Sequence, residues 1–414
     1  MNKPARPLTV LHVGTINKPI THANGYGPIE TVIFNIDKGL HELGHRSIVA
    51  CSSDSAVTGE HYATVGRSLG DYCRSGTPEA QAQIDLHLGG ALARARRGDI
   101  DIIHMHEWFE HVYTGRFAPP VPIVMTLHVP GERSGLPEFR TRDPRTFAAS
   151  RSLLMPVAIS EYQRRQYAQL LPGARTIPHG VAVNEYLFKA EPNAGTYLFC
   201  IGRLTEDKGQ DFAVEVARKS GAKLILAGGV QDKEADRAFF ARLMPSMDMV
   251  VDLSDELVTP RYYEDVMQPI LTSGKQVIYI GELSTDAAKQ WYRYAEATLF
   301  PIRWGEPFGM VLIESMASGT PVLAFGKGSV PEIVRDGETG FIVDSVDEMA
   351  AVVGRVSELN RAGSWQHVQA NFSVDRMATA YASLYREVAA APNVTVQPAA
   401  GIAAAPTPLL ARTV

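Results

Sequence analysis

A chain of 414 residues is long enough for two ordinary domains, each with its own core. With 45% hydrophobic and 21% charged residues, its composition is that of a soluble globular protein and excludes a disordered or fibrous one. A formal net charge of −5 excludes a general nucleic-acid binder, which needs a basic surface, so an anionic ligand must be held by local groups.

The N-terminal apolar run Leu8-Thr9-Val10-Leu11 is interrupted by His12 and followed by Gly14, Asn17 and Lys18, unlike the core of a signal peptide. The predicted elements then alternate. Short β-rich runs at 8–14, 46–52, 100–106, 122–129 and 153–160 are interleaved with helical stretches, the first of them at 29–43. That rhythm predicts βαβ units and a parallel sheet with helices on both faces. Residues 184–195 are polar, contain Pro and Gly and have no period, so the domain boundary is expected there.

The rhythm restarts with strands at 196–202, 223–229, 276–282, 297–302 and 321–326 and helices at 210–220 and 285–295. The fold class expected is therefore α/β, with two Rossmann-like parallel-sheet domains facing each other across a cleft, where loops close on a ligand. The expected division is 1–185 and 186–370, then a helix at 371–391 returning to the first domain and a disordered Ala/Pro-rich tail at 392–414. No run of about 18 apolar residues suggests a membrane span. The cysteines Cys51, Cys73 and Cys200 lie far apart without a CxxC pair, which fits a reducing cytoplasm.

Several motifs fall at strand ends. GYGPIE (25–30) is a Gly-rich turn opening a helix, suited to a phosphate, but Glu30 stands where a dinucleotide fingerprint wants its third glycine. His104 and His106 form an HxH on one strand face, yet no third ligand has convincing spacing, so no metal is expected there. His128 ends the next strand. Asp99-Ile100-Asp101 has the spelling of a metal-chelating DxD but precedes its strand, and reads as a turn. In GRLTEDKG (202–209), Arg203 and Lys208 either clamp a diphosphate or belong to a solvated loop neutralised by Glu206 and Asp207.

GEPFGMVLIE (305–314) carries the most chemistry. Pro307 excludes a helix entering from upstream, whereas Gly309–Ser318 can be helical and Gly319 stops it, so Glu306 sits in a loop and Glu314 in a helix. That helix is apolar nearly all round, so Glu314 needs a dedicated partner: a protein Arg or Lys, or the hydroxyls of a ligand. The N–H groups of Met310, Val311 and Leu312 at the helix start would form an anion site beside Glu306.

On GYGPIE, HMHE, TLHVPG, IPHGV, GRLTEDKG, Glu306 with Glu314, and GSVPEIVRDGETGFIV (328–343), the chain resembles the retaining glycosyltransferases of family 4 with the GT-B fold, in their avilamycin-glycosyltransferase-like branch. The resemblance implies transfer of a hexosyl group from a nucleotide-diphosphate sugar, UDP- or GDP-linked, to a hydroxyl of a glycan, lipid or small molecule, with no cofactor and no essential metal. It implies that Glu314 binds the ribose, Glu306 the sugar hydroxyls, and Arg203 and Lys208 the diphosphate. The segment Phe308, Gly309, Met310, Val311 and Leu312 would meet the phosphates and sugar, Gly27 the β-phosphate, and His128 the reaction centre. Two features depart from the family: an extra segment at 230–275 and His179 where many relatives have Asn.

The expected location is cytoplasmic, leaving open peripheral contact with the inner face of a membrane, and the net charge leaves no nucleic-acid partner expected. The rival readings are a glycoside hydrolase using Glu306 and Glu314 as acid and nucleophile, a nucleotide-sugar 2-epimerase of the same fold, and a non-catalytic nucleotide-sugar sensor. The segment 130–146, with Arg133, Arg140, Arg142 and Arg145 against Glu132, Glu138 and Asp143, is either an acceptor-side lid or a solvated loop.

Overall fold

The computed structural model describes residues 6–22, 27–70, 77–107, 111–112, 117–143, 154–190 and 197–390. The expected tail at 392–414 lies outside them, as do Cys73, Gly25, Tyr26 and Arg145. The chain forms two compact units, the first containing residues 27–178 and the chain from Met377, the second residues 179–376.

In the first unit the described residues form a parallel seven-stranded sheet: β1 (Thr9–Val13), β2 (Arg46–Ser52), β3 (Glu60–Val65), β4 (Ile102–Met105), β5 (Ile123–Leu127), β6 (Leu154–Ala158) and β7 (Arg175–Thr176). Their order is β3-β2-β1-β4-β5-β6-β7. The inner strands β1, β4 and β5 are almost wholly buried, as expected when helices cover both faces. Their helices include α1 (Pro28–Glu42), α2 (Pro78–Ala95), α3 (Leu136–Arg142) and α4 (Glu161–Tyr167). Pro28 opens α1 where its missing N–H costs nothing, and the Ser160 hydroxyl accepts from Gln163 N to cap α4. Asp99 and Asp101 pair with Arg94 and Arg46, and with Arg6, so the DxD spelling is structural, as its position before a strand suggested.

His87 on α2 is fully buried against the Thr64 hydroxyl at 2.6 Å, and burial holds its imidazole down at about 4. Its folded pKa lies below the unfolded value, so the unfolded chain binds more protons between pH 6.5 and 4, and stability falls as pH drops through that window. At pH 5 this residue is expected to cost about 2 kcal/mol relative to pH 7.5. Thermal melts of the native chain and His87→Gln check it: the variant should lose less stability between those pH values, and parallel curves would reject it.

The second unit forms another parallel seven-stranded sheet from β8 (Leu198–Ile201), β9 (Leu224–Ala227), β10 (Met249–Val250), β11 (Val277–Tyr279), β12 (Ala297–Phe300), β13 (Val322–Phe325) and β14 (Gly340–Val343). The order is β10-β11-β9-β8-β12-β13-β14. Strand order reverses between β8 and β12, and ligands of open α/β sheets bind outside the carboxyl ends of strands at such a point. The helices used below are α5 (Gln210–Ser220), α6 (Glu234–Leu243), α7 (Thr285–Tyr294), α8 (Met310–Ala317), α9 (Val346–Val352), α10 (Arg361–Asn371) and α11 (Val374–Ala390).

The extra segment at 230–275 contains helical stretches and, in addition, a short strand. It supplies α6, the short edge strand β10 paired to β11, and a π-helical turn at Tyr263–Met267. Four strands go unmarked in the sequence reading as strands, namely β3, β7, β10 and β14; β7 and β10 are two residues long, too short for any period to register.

One buried guanidinium organises this unit. Arg361, 6% exposed at the start of α10, donates to Lys189 O (2.9 Å), Ala295 O (2.9 Å), Arg293 O (3.1 Å) and the Thr320 hydroxyl (2.7 Å). A buried charge is tolerated only when its donors are met, and here oxygens from three segments meet it.

Candidate active site

In the second unit, the loops after β8 and β12 lie against each other. After β8 the chain passes Gly202 and Arg203, makes a single 3-10 turn at Glu206–Lys208 and enters α5 through Gly209. Gly209 has φ of 70°, and a Cβ there would lie 2.1 Å from Pro301 O, so only glycine lets the two loops approach this closely.

Arg303 fastens them. Its backbone N–H donates to Asp207 O at 2.8 Å, its guanidinium grips the Asp211 carboxylate at 2.7 and 2.5 Å, and one nitrogen also reaches Glu206 O at 2.7 Å. The sequence reading missed this residue. Its only signal was an arginine between a strand end and GEPFG.

Held so, Lys208 Nζ meets Glu306 Oε2 at 2.5 Å, with the two side chains 17% and 14% exposed. The Lys208 ammonium also lies 5.4 Å from the Trp304 ring centre. Arg203 donates to Gln231 Oε1 at 2.9 Å, and Glu206 takes Arg242 at 3.2 Å. Lys208 thus pairs across to the second loop rather than with Glu206 or Asp207 of its own turn, the arrangement that a solvated loop would have shown.

Glu306 is pinned from behind by the GSVPEI stretch. Ser329 N donates to Glu306 O at 3.0 Å, and the Ser329 hydroxyl to Phe308 O at 2.7 Å. Gly328, with φ of 65°, has Glu306 O only 2.3 Å from where a Cβ would sit. Phe308 is 3% exposed and meets His179 edge-on, ring centres 5.1 Å apart.

Gly309 caps α8 at φ of 84°. Here one expectation is corrected: Leu312 N donates back to Gly309 O at 3.0 Å in a 3-10 bond, which removes it from the anion-binding set proposed for Met310, Val311 and Leu312. Glu314, one turn further, accepts from the Tyr292 hydroxyl of α7 at 3.0 Å. Its partner is therefore a phenol, neither of the cations expected. Burial raises the Glu314 pKa, opposed by that hydrogen bond and by the charge of Lys289, so the carboxylate would be relieved by further hydroxyl donors. Glu306 on a cation and Glu314 on a phenol, on separate elements, do not resemble a matched hydrolytic pair.

The first unit gathers a second polar cluster. His104 and His106 share a face as alternation required, with ring centres 4.0 Å apart, and His106 Nδ1 lies 3.2 Å from His128 Nε2. His104 is held at both nitrogens, Nδ1 by the Tyr385 hydroxyl and Nε2 by the Thr126 hydroxyl, each at 2.7 Å. Thr126 in turn meets the Tyr381 hydroxyl at 2.7 Å, so α11 is tied to β4 and β5. Burial keeps His104 well below the usual imidazole range and takes His128 down to about 3, so both stay neutral at pH 7.

The same burial, with the charge of Glu30, lifts Glu107 to about 7. Glu30 itself is buried and accepts from the Thr15 hydroxyl at 2.6 Å, which gives this exception to the glycine fingerprint a structural role. Gly27 is the buried N-cap of α1, with Thr31 N on its carbonyl at 2.9 Å.

Sequence reasoning missed His12. It sits on β1 directly opposite His104 in the parallel register, fully buried, and its two ring nitrogens have no hydrogen-bond partner among the described residues. The lone histidine in LTVLHVG was the only available signal.

Comparison with known proteins agrees with this architecture. The structure superposes on a glycosyltransferase involved in avilamycin A biosynthesis with a TM-score of 0.61 at 20% identity, covering 93% of this chain and 99% of that one. It matches HepE of Anabaena, solved in complex with UDP, with a TM-score of 0.65 at 17% identity over 92% and 100% of the two chains. These likenesses define the fold as GT-B. A curated relative, the D-inositol 3-phosphate glycosyltransferase of Acidothermus cellulolyticus, is 26% identical over 67% of this chain and 66% of its own length. The family model for Glycosyltransferase Family 4 matches residues 27–185 and that for Glycosyl transferases group 1 matches 270–363. The chain belongs to this glycosyltransferase family. Among the described residues no helix is long and apolar enough to cross a membrane.

Proposed function

We propose that the protein is a retaining glycosyltransferase that moves a hexosyl group from a nucleotide-diphosphate sugar to an acceptor hydroxyl. The observation that carries this reading is the Lys208–Glu306 pair at the β8/β12 switch point, a cation and an acid set side by side beside a helix start. Lys208 and Arg203 take the diphosphate, and the backbone from Phe308 to Val311 lies against phosphate and sugar. Glu306 accepts from sugar hydroxyls, and Glu314 from the ribose. Gly27 and His128 keep the roles the resemblance assigns them, at the β-phosphate and the reaction centre.

In this mechanism the acceptor hydroxyl attacks the anomeric carbon on the face the diphosphate leaves. A leaving-group oxygen takes the proton, so configuration is kept without a side-chain nucleophile. The protein's work is to stabilise charge growing on the diphosphate, and two fixed cations do that without a metal. The structure of HepE with UDP and the glycosyltransferase relatives support the donor class.

Thermal-shift titration against UDP-, GDP-, ADP- and dTDP-sugars tests it. One donor series should raise Tm in proportion to the logarithm of its concentration, and Glu314→Ala should abolish most of that shift. Flat melts with all four, in a chain that folds, would overturn the reading.

A further inference from the structure

We propose that His12, His104 and His106 form a binding site for one divalent transition-metal ion of the zinc class. The cluster belongs to the first unit and shares no residue with the donor-binding groups assigned above, although its His106 touches His128. It rests on its own geometry and does not depend on the proposed reaction.

Three observations converge on it. The ring nitrogens of the three histidines that would serve as ligands all lie within 4.8 Å of one another. The backbone explains why: His104 and His106 are two residues apart at the end of β4 and so share a face, while His12 is the direct cross-strand neighbour of His104 on β1. An HxH strand with a third histidine from the adjacent strand presents three imidazoles to one point. All three are buried, at 0%, 0% and 2% exposure.

The second observation is His12 itself. Its two ring nitrogens find no hydrogen-bond partner among the described residues, although the ring is fully enclosed. Buried polar groups are nearly always met by protein, water or an ion, so this one calls for an occupant beside it. Its ring centre lies 5.3 Å from that of His104 and 5.8 Å from that of His106, so both other imidazoles stand beside it.

The third is the outer shell. A metal-bound histidine donates its remaining N–H to a fixed acceptor, and His104 already has hydroxyls on both nitrogens, Tyr385 on Nδ1 and Thr126 on Nε2. Binding exchanges one of these hydroxyls for the ion and keeps the other as the orienting partner. Ligands at tetrahedral zinc sit about 3.3 Å apart, so the ring nitrogens must draw together by up to about 1.5 Å, within reach of side-chain rotation. Three neutral nitrogens with no carboxylate among them select zinc, cobalt, nickel or copper over magnesium or calcium. They leave a fourth position, and His128, in contact with His106, is the nearest further imidazole.

The full chain, stripped with a chelator and dialysed, is titrated with Co2+ and read by its visible absorption, with Zn2+ as competitor and Mg2+ as control. The expected result is one Co2+ per chain with the intense bands of a tetrahedral nitrogen site, bleached by equimolar Zn2+ and untouched by Mg2+. In His12→Phe the affinity should fall at least 100-fold while the metal-free Tm is kept or raised, since an unpartnered imidazole is replaced by an apolar ring. If that variant does not fold, His106→Gln serves in its place. Absence of tetrahedral bands in the native chain overturns the proposal. So does equal Co2+ affinity in native and variant chains.

Discussion

Lys208→Ala is expected to fold and bind donor, and to lose 100- to 1000-fold in kcat. The size follows from the position of the ammonium. Removing one preorganised donor aimed at developing charge costs about 3–4 kcal/mol of transition-state stabilisation. Lys208 is fixed by the Arg303 clamp on its turn, so in the proposed reaction little reorganisation is needed as a diphosphate departs.

The structure adds a complication that a double-mutant cycle resolves. Lys208 also neutralises Glu306, so its loss leaves a mostly buried carboxylate without its cation. If Lys208 acted only by holding Glu306, then Lys208→Ala in a Glu306→Gln background would cost nothing further. If it also carries leaving-group charge, most of the loss persists in the double variant. Unchanged turnover of Lys208→Ala at saturating donor would sink the assignment.

Gly328→Ala is expected to destabilise the second unit and to displace the Glu306 loop. At φ of 65° an L side chain costs about 1–2 kcal/mol by itself. The added Cβ would also sit 2.3 Å from Glu306 O and 2.4 Å from Glu306 N, backbone atoms that cannot swing aside. A total near 3 kcal/mol corresponds to a fall in Tm of about 6–12 °C for a unit of this size, with kcat/KM reduced at least tenfold as Glu306 is displaced. Gly337 is the internal control. It has φ of 73° and nothing within 4 Å of its Cβ position, so Gly337→Ala carries the strain without the collision. Equal melting temperatures and activities for the two variants would show that the Glu306 loop is not held from this side.

How much of this was legible depends on the range of the physics involved. Breaker residues act locally, which is why Pro307, Gly309 and Gly319 placed Glu306 in a loop and Glu314 on a helix before any coordinates. Glu314's need for a partner was also readable, because an apolar helix cannot leave a carboxylate unmet. That the partner is Tyr292, from a helix 22 residues earlier, was not readable, since only packing of α7 on α8 sets it.

The Leu312 N–H was lost for a subtler reason: a first turn tightened to 3-10 geometry consumes a donor that an ideal helix would leave open. His12 shows the limit most clearly. HxH spacing is visible within one strand, but the register that brings β1 beside β4 is a property of the sheet, not of either segment.

Both units draw a packing group from residues 361–385. The first closes its histidine cluster with Tyr381 and Tyr385, whose partners lie 255 and 281 residues earlier, and the second is tied together by Arg361. During synthesis, then, neither sheet can reach its final packing until the codons for residues 361–385 have been read. The nascent first sheet must wait with part of one face uncovered while the whole second unit is made. Pauses in translation before residue 385 would prolong that exposed stage, and a premature stop after residue 360 would leave two incomplete halves rather than one finished domain and one missing.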